Sequence, residues 1–352
     1  MKRISLALSF TLAFLFCLGE PLKAQSPAGD LGSLLRQAKQ SLSSRNVPEA
    51  IAVYEQAAYL AQDNDQIWAS LGYLYVHQSR FLEAVTAYQR ALAIDPENPH
   101  YYDGLGFSYG HLGALDKAWT AYASAINLEP SNLKYHLALG VVWLRLGEYD
   151  RLETLCSQIL ALDPNNSTAF LLRGSALVQR GAWDQAIAFL SAPKTPKNLE
   201  LALQLAKAQA GKGDLVAAKA TLTPWFGSHP THGGLWLIWG LLLEQEKNYA
   251  QALASYEKAW RFNPQSWEAL LAVGRTHLTL DNPRAALRYL MPLAQKYAQN
   301  GDVLYFLGLA YYRTSQTQQG LLYLQQAREI YKNQGNQRGV AQVEEILAAY
   351  PH

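Results

Sequence analysis

Cysteine is nearly absent from this chain, which has only Cys17 and Cys156 in 352 residues. A framework of several disulfides, which supports many small secreted domains, is therefore excluded. Cys156 stands among apolar residues at helical spacing, where cysteine serves as a small hydrophobic side chain. We interpret Cys156 as a core residue, and we expect packing alone to hold the fold together.

Charged residues are also scarce, at 16% of the chain, whereas 49% of the residues are hydrophobic. Such a chain is too apolar to be disordered, and it has too few charges for a long isolated coiled coil. It contains no glycine-rich phosphate loop and no H-E-x-x-H zinc motif. Its carboxylates are scattered rather than grouped. We therefore predict a packed, mainly helical protein that is not an enzyme.

The N-terminus has the pattern of a secretory signal peptide. Two basic residues precede an uncharged run from 4 to 18, and Ala24 supplies a small residue before a cut ahead of Gln25. The run is shorter than the roughly 20 residues of a membrane-spanning helix. We predict a signal peptide over residues 1–24, a linker over 25–30 and export to the bacterial periplasm. An uncleaved N-terminal anchor is the alternative.

The predicted mature chain carries no excess charge. Cleavage after residue 24 removes three of the 30 basic residues and one of the 28 acidic residues, which leaves 27 of each. Nucleic acids and anionic lipid surfaces are both bound through an excess of lysine and arginine. We therefore expect no nucleic-acid partner and no direct membrane insertion after signal cleavage.

From about residue 31 the sequence repeats itself every 34 residues. The copies 65–98, 99–132 and 233–266 carry similar residue types in the same register. In the first copy these residues are Trp68, Leu71, Gly72, Tyr75, Ala84, Tyr88, Ala91 and Pro96. The series resembles the signature of the tetratricopeptide repeat (TPR), W-x2-L-G-x2-Y followed by A-x3-F and P, with tyrosine in place of phenylalanine.

Each repeat is expected to form two short helices. Apolar residues at helical spacing mark the helices, and small residues allow the two helices to approach closely. Pairs such as Gly147-Glu148 and Gly213-Asp214 mark the turn between them. Proline closes the unit after its second helix.

The resemblance implies an all-α, right-handed superhelical solenoid of about nine TPR helix pairs with a C-terminal capping helix. We predict TPR units 1–5 over residues 31–198, units 6–9 over 199–334 and the capping helix over 335–352. The fifth unit, 167–198, is two residues short and ends in a proline-rich stretch. We therefore predict a seam in the regular stacking near residue 196.

In TPR proteins the first helix of each unit lines a concave groove. The resemblance therefore implies a groove that binds a protein segment, either a peptide or a helix of a membrane-complex subunit. Aromatic and aliphatic residues predominate at the mapped positions, with a few charges between them. The candidate partner-binding residues are Tyr73, His77, Asp103, Phe107, His111, Lys134, Arg145, Leu237, Leu241, Arg275, Tyr305, Tyr312 and Arg313.

A histidine and an aspartate on one helix predict a metal site. His100 and Asp103 stand three residues apart near the start of a helix and so share one face. With a third ligand from His77, His111 or His136, this pair could hold Mn2+, Zn2+ or a similar ion. The alternative is an aspartate that favours a helix N-terminus and histidines that face solvent. Nothing else in the sequence requires a cofactor, and Mn2+ is the metal that we predict.

An exported chain made of TPR units resembles the periplasmic TPR assembly factors of cyanobacteria. That resemblance implies binding of the C-terminal region of the precursor of the photosystem II reaction-centre protein D1, together with early manganese supply. The broader hypothesis is a non-enzymatic scaffold that assists assembly of a membrane protein complex. Two alternatives stay open, namely a scaffold for envelope secretion or outer-membrane assembly and a protein that delivers metal.

Overall fold

The structure, a computed structural model, describes residues 30–192 and 197–348. The predicted signal peptide, most of the linker, the predicted seam and the end of the predicted cap lie outside these residues and stay predictions. Over the described ranges the chain forms twenty α-helices and no strand, which confirms the predicted all-helical fold. None of these helices is long and apolar enough to cross a membrane.

The chain divides into two compact units, one ending at Gly113 and one beginning at Ala114. The boundary lies in the turn between the two helices of the repeat 99–132. The described residues of the first unit form α1 (Leu31–Ser43), α2 (Val47–Leu60), α3 (Asp65–His77), α4 (Phe81–Ile94) and α5 (Pro99–His111).

The second unit contains the other fifteen described helices. They are α6 (Leu115–Leu128), α7 (Leu133–Leu146), α8 (Tyr149–Leu162), α9 (Ser167–Gln179), α10 (Trp183–Leu190), α11 (Leu199–Gly211), α12 (Leu215–Leu222), α13 (Trp225–Ser228), α14 (Gly233–Gln245), α15 (Tyr249–Phe262), α16 (Trp267–Thr279), α17 (Pro283–Lys296), α18 (Gly301–Arg313), α19 (Thr317–Asn333) and α20 (Gln337–Ala348). The two helices of a repeat pack together, and first helices of successive repeats also touch, as α3 touches α5 and α16 touches α18. This is the stacking of helix pairs expected of TPR units.

Asparagine begins most of the first helices. Asn64, Asn98, Asn132 and Asn166 recur at 34-residue intervals, and each side-chain oxygen accepts a hydrogen bond from a backbone N–H two or three residues later. Asn300 caps α18 in the same way. Such a cap satisfies one of the four N–H groups that a helix start leaves unpaired. The periodic asparagines therefore fix where each first helix begins.

Each described turn from a first to a second helix contains one residue with positive φ. Gly147 has φ 76° and Gly213 has φ 90°, which confirms both predicted glycine turns. Glycine adopts this conformation without the steric cost that a Cβ brings. Ser79 and Lys247 occupy the same place in other repeats, with φ 57° and 62°. The turn is therefore kept even where glycine is missing, because the packing of the two helices requires it.

The signature residues form the contact between the two helices of a pair. Gly72 faces the ring of Tyr88, and a Cβ added to Gly72 would lie 2.9 Å from that ring. Gly240 faces Tyr256 in the same way, at 2.6 Å. Both tyrosines are buried. A large side chain on the second helix thus fills the space that glycine leaves on the first, which confirms the predicted role of the small residues.

The second helix of the sixth unit departs from the predicted pattern. It is split into α12 and the short α13, and Pro224 stands between them. Proline has no N–H to donate to the carbonyl four residues earlier, and its ring crowds that carbonyl. The expected single helix is replaced by two pieces here, whereas α17 continues through Pro292 at the same position of its repeat.

Two substitutions in α5 test the close approach of the helices. A Cβ at Gly104 would collide with the ring of buried Tyr88, whereas a Cβ at Gly110 would meet nothing within 4 Å. We expect Gly104→Ala to lower the free energy of unfolding by about 1–3 kcal/mol, since an overpacked site strains its neighbours. Gly110→Ala should be neutral or raise it by up to about 1 kcal/mol, because alanine favours helix. Urea titration measures both, and equal effects would contradict the close packing.

Cys156 is fully buried in α8 and packs in a cluster with Leu152 and Leu172, as the sequence predicts. Burial raises the pKa of its thiol to about 12, so the reactive thiolate is nearly absent at neutral pH. In a chain that lacks Cys17, we expect iodoacetamide to leave the folded protein unmodified and to label Cys156 once guanidinium has unfolded it. Mass spectrometry counts the adducts, and rapid labelling of the folded chain would show that the thiol is accessible.

Candidate functional site

The candidate residues on the first helices lie at the surface. All thirteen predicted partner-binding residues are exposed or half-buried. Tyr73, Phe107, Leu241 and Arg275 each occupy the ninth position of their repeat. We call the surface that the first helices of one unit present to solvent the first-helix face of that unit. The structure places these residues there, and their binding of a partner stays a prediction.

The first-helix face of the first unit carries aromatic and imidazole rings in contact. The ring centroids of Tyr73 and His77, one turn apart on α3, are separated by 4.3 Å. Phe107 and His111 repeat the arrangement on α5 at 4.4 Å, and His111 also stacks on Phe81 at 4.4 Å. Tyr73 is 58% exposed and Phe107 is 43% exposed. Two large rings are thus held by neighbours and still face solvent.

A pocket of about 370 Å³ opens beside Tyr73. Its lining residues are Leu42, Tyr54, Gln66, Ala69, Ser70, Tyr73, Leu74 and Tyr101. The position of Tyr101 is fixed because its hydroxyl donates a hydrogen bond to Asp65 Oδ2 at 2.5 Å. The lining is mainly apolar with a few hydroxyl and amide groups, so the pocket suits an aliphatic or aromatic side chain.

The predicted metal pair lies near the start of α5, where His100 is exposed and Asp103 is half-buried. Burial and, to a smaller extent, the negative charge of Asp103 raise the pKa of Tyr88. Within residues 30–192 and 197–348, no group of three His, Cys, Asp or Glu side chains is placed to hold a metal ion. The imidazole of His136 contacts the carbonyl oxygen of Pro130 at 2.8 Å. The Mn2+ site stays a prediction that still needs a third ligand.

Residues 106–110 read G-F-S-Y-G and match the letters of the nucleophile-elbow motif of hydrolases. That motif works only on a sharp strand-to-helix turn that exposes the serine. Ser108 instead lies inside α5, is fully buried, and donates its hydroxyl hydrogen to the carbonyl oxygen of Gly104 at 2.7 Å. Ser108 is therefore a packed helix residue.

The first-helix face of the second unit combines aliphatic residues with an ion pair. Leu237 and Leu241 are half-buried on α14. On the same helix, Glu244 Oε2 accepts hydrogen bonds from the hydroxyl of Tyr256 and from the guanidinium of Arg275, each at 2.6 Å. Burial and the bond to Glu244 raise the pKa of Tyr256. Arg275 therefore ties α16 to α14 and is already engaged within the protein.

The other predicted residues of this unit have different surroundings. Lys134 and Arg145 are exposed on α7, and Tyr305 and Tyr312 are half-buried on α18. The guanidinium of Arg313 donates a hydrogen bond at 2.7 Å to a carbonyl oxygen near the end of α16. Arg313 thus joins neighbouring repeats, while the two tyrosines keep part of their rings at the surface.

Lys207 is a candidate that the sequence patterns did not single out. It holds the ninth position of the repeat 199–232, as Tyr73 does in its own repeat. Its side chain is half-buried and makes no hydrogen bond or ion pair with the described residues. Burial lowers the pKa of its ammonium group, and the charges of Glu200 and Glu268 oppose that shift. The position of Lys207 within its repeat is the sequence signal that identifies this candidate.

Three stretches of the chain match family models built from repeats of this kind. Residues 72–113 match a model described as TPR repeat. Residues 152–198 and 243–307 match models described as tetratricopeptide repeat. Among curated proteins, none matches the chain.

Solved structures share the fold at low sequence identity. A tetratricopeptide repeat protein from Parabacteroides merdae is 18% identical over 70% of this chain and 98% of its own, with a TM-score of 0.64. Human IFIT1, solved as a dimer with m7Gppp-AAAA, is 16% identical over 91% of this chain and 81% of its own, with a TM-score of 0.59. These likenesses concern the fold alone. The three family matches identify TPR repeats in these stretches, and the described helix pairs stack as TPR units do.

Proposed function

We propose that this chain is a non-enzymatic scaffold that binds a segment of another protein on the first-helix face of its first unit. TPR repeats generally mediate protein–protein interactions and generally are not enzymes. The observation that carries the proposal is the pair of exposed rings, Tyr73 and Phe107, with the pocket beside Tyr73. Large apolar side chains grouped at the surface are typical of interaction sites.

The size of the exposed rings indicates what kind of segment binds. Covering the exposed part of each ring, roughly 100 Å², would contribute about 2–3 kcal/mol at ~25 cal/mol per Å². A surface ion pair contributes about 0–1 kcal/mol. Ordering of the bound segment offsets part of the gain. We therefore infer an apolar segment, with one aliphatic or aromatic side chain in the pocket and others against the two rings.

The first-helix face of the second unit supplies a contact of different chemistry. Lys207, on α11, is half-buried and belongs to this face, as Leu237 and Leu241 on α14 do. A buried ammonium group is unfavourable while no opposite charge pairs with it. A carboxylate on a bound segment would supply that charge. We infer that a segment bound on this face combines aliphatic residues with an acidic one.

We further propose export to the periplasm and a role in assembly of a membrane protein complex. The support is the signal-peptide pattern of residues 1–24 and the neutral predicted mature chain. Photosystem II, with binding of the D1 precursor and manganese supply, is one candidate complex. Envelope secretion or outer-membrane assembly is an alternative, and metal delivery through His100 and Asp103 is another. The identity of the bound segment separates these roles.

Site-directed photo-crosslinking in the host organism tests the proposed surface. The photoreactive residue p-benzoyl-phenylalanine replaces Tyr73, Phe107 or, as the control, Leu82. Leu82 is also large and exposed, but it lies on the second helix α4. We expect positions 73 and 107 to be linked to the same segment of one partner, which mass spectrometry identifies, and position 82 to give no such link. Equal yields at the three positions would contradict a specific surface.

The affinity of the cross-linked segment then measures how much the two rings contribute to binding. We expect Tyr73→Ala/Phe107→Ala to weaken binding at least about 100-fold and Leu82→Ala to change it less than about two-fold. Isothermal titration calorimetry gives both values. An unchanged affinity in the double variant would exclude this face as the binding site.

Export is tested by the mass and location of the protein in its host. We expect an intact mass that begins at Gln25 and recovery in the periplasmic fraction, because the signal peptide is removed on translocation. A full-length protein in the membrane fraction would favour the uncleaved anchor. A full-length protein in the cytoplasm would rule out export.

A further inference from the structure

A second pocket, of about 590 Å³, lies between α15 and α17, which are the second helices of their repeats. Its apolar walls are Ala254, Trp260, Pro264 and Tyr289. The rings of Trp260 and Tyr289 meet edge to face, with centroids 5.9 Å apart. Neither ring belongs to the TPR signature or to the first-helix face, so this pair of rings is particular to these two repeats.

Tyr289, which forms one wall of the pocket, is held by a neighbouring ring. Tyr289 stacks on the imidazole of His277 in α16, with centroids 5.4 Å apart and planes 13° from parallel. His277 Nδ1 is buried and has no hydrogen-bond partner among the described residues. Burial lowers the pKa of His277, Glu257 opposes that shift, and Arg288 adds to it. A neutral ring thus holds Tyr289 in place, and the wall is formed before any ligand arrives.

The helices that form the pocket carry a local surplus of positive charge. α15 and α17 contain one acidic residue, Glu257, and five basic residues, which are Lys258, Arg261, Arg284, Arg288 and Lys296. All five basic side chains are exposed, and none forms an ion pair with the described residues. The predicted mature chain has equal numbers of basic and acidic residues, so this surplus is local to these two helices.

Part of this charge lies directly at the pocket. Lys258 and Arg261 belong to its lining, together with the acidic Glu257. The ammonium group of Lys296 donates a hydrogen bond at 3.1 Å to the side chain of Gln265, which follows Pro264 of the wall. Lys258 lies over the ring of Trp236 at 4.0 Å, which orients the side chain and leaves its charge in place. The pocket therefore has apolar walls and a charged rim in which two basic residues outnumber one acidic residue.

We infer that this pocket binds an acidic protein segment in which one aromatic or aliphatic residue is flanked by carboxylates. The anchor side chain enters between Trp260 and Tyr289, and the carboxylates face Lys258 and Arg261. An apolar anchor supplies affinity and the charges supply selectivity. The basic residues are confined to two short helices with Glu257 among them, which favours a short peptide over a phosphate track or a lipid surface. The inference does not depend on the first-helix face.

The test uses the purified mature chain and fluorescein-labelled peptides of about 12 residues, each with glutamates on both sides of one Phe, Trp or Leu. Fluorescence anisotropy measures their binding. We expect at least one of these peptides to bind and its affinity to fall as salt is added, because the rim charges are exposed. The same peptide with lysines in place of glutamates is the charge control and should not bind.

Variants then locate the bound peptide. Arg261→Glu and Trp260→Ala are each expected to weaken binding by about ten-fold or more. Arg36→Glu makes the same charge change on exposed α1 of the first unit and should alter binding less than about two-fold, as should Tyr73→Ala/Phe107→Ala. Circular dichroism melting shows whether each variant is folded. If Trp260→Ala is unfolded, peptide binding by Arg261→Glu is the deciding measurement.

Three results would overturn the inference. The first is no binding by any acidic peptide, or equal binding by wild type and Arg261→Glu. The second is binding of a single-stranded oligonucleotide or of anionic lipid vesicles, lost in Arg261→Glu, while the acidic peptides do not bind. The third is loss of peptide binding in Tyr73→Ala/Phe107→Ala but not in Arg261→Glu, which would place the peptide on the first-helix face.

Discussion

A glycine on the first helix of a repeat meets a large side chain of the second helix sixteen residues later, and the contact recurs in both units. Gly174 meets Leu190 and Gly308 meets Leu324 just as Gly72 meets Tyr88. Glycine inside a helix costs about 0.5–1 kcal/mol relative to alanine. Close packing offsets that cost, because a buried side chain loses its dispersion contacts across even a small gap. With no disulfide among the described residues, this apolar contact sets how the helices pair.

The same contact leaves one side of each first helix available for other uses. The glycine side faces the second helix, while the ninth position is exposed or half-buried in every repeat except 167–198, where Ser175 is buried. Tyr73, Phe107, Lys207, Leu241 and Arg275 all stand at that position in different repeats. Since the fold does not require a particular residue there, each repeat can present a different chemical group. Function is therefore placed on the scaffold without changing how the scaffold packs.

The charges of this nearly neutral chain fall into two groups. Some join neighbouring repeats, as Arg275 does with Glu244 at 2.6 Å and Arg173 does with Glu153 at 3.0 Å. Half-buried pairs of this kind fix the stacking of successive repeats. The basic residues of α15 and α17 form no such pairs with described residues, and two of them, Lys258 and Arg261, line a pocket with apolar walls. The net charge of the chain therefore does not reveal that some charged residues join neighbouring repeats while others lie at the surface.

The sequence by itself determined the helix pairs, the glycine turns and the burial of Cys156. These features are local, because they depend on residues within one 34-residue repeat and on a pattern that recurs. The break at Pro224 was not readable in this way, because Pro292 stands at the same position of its repeat inside unbroken α17. Other matters needed the tertiary structure. The letters of residues 106–110 fit a catalytic motif until Ser108 is seen to be buried in a helix.

The unpaired state of Lys207, the engagement of Arg275 by Glu244 and the pocket between Trp260 and Tyr289 were likewise decided only in three dimensions. Each depends on distances between side chains on different helices, about 30 residues or more apart in the chain. A repeating pattern states which residues share a helix face. It does not state how far a side chain reaches, what covers it or which charge lies opposite, because those depend on how successive helices stack.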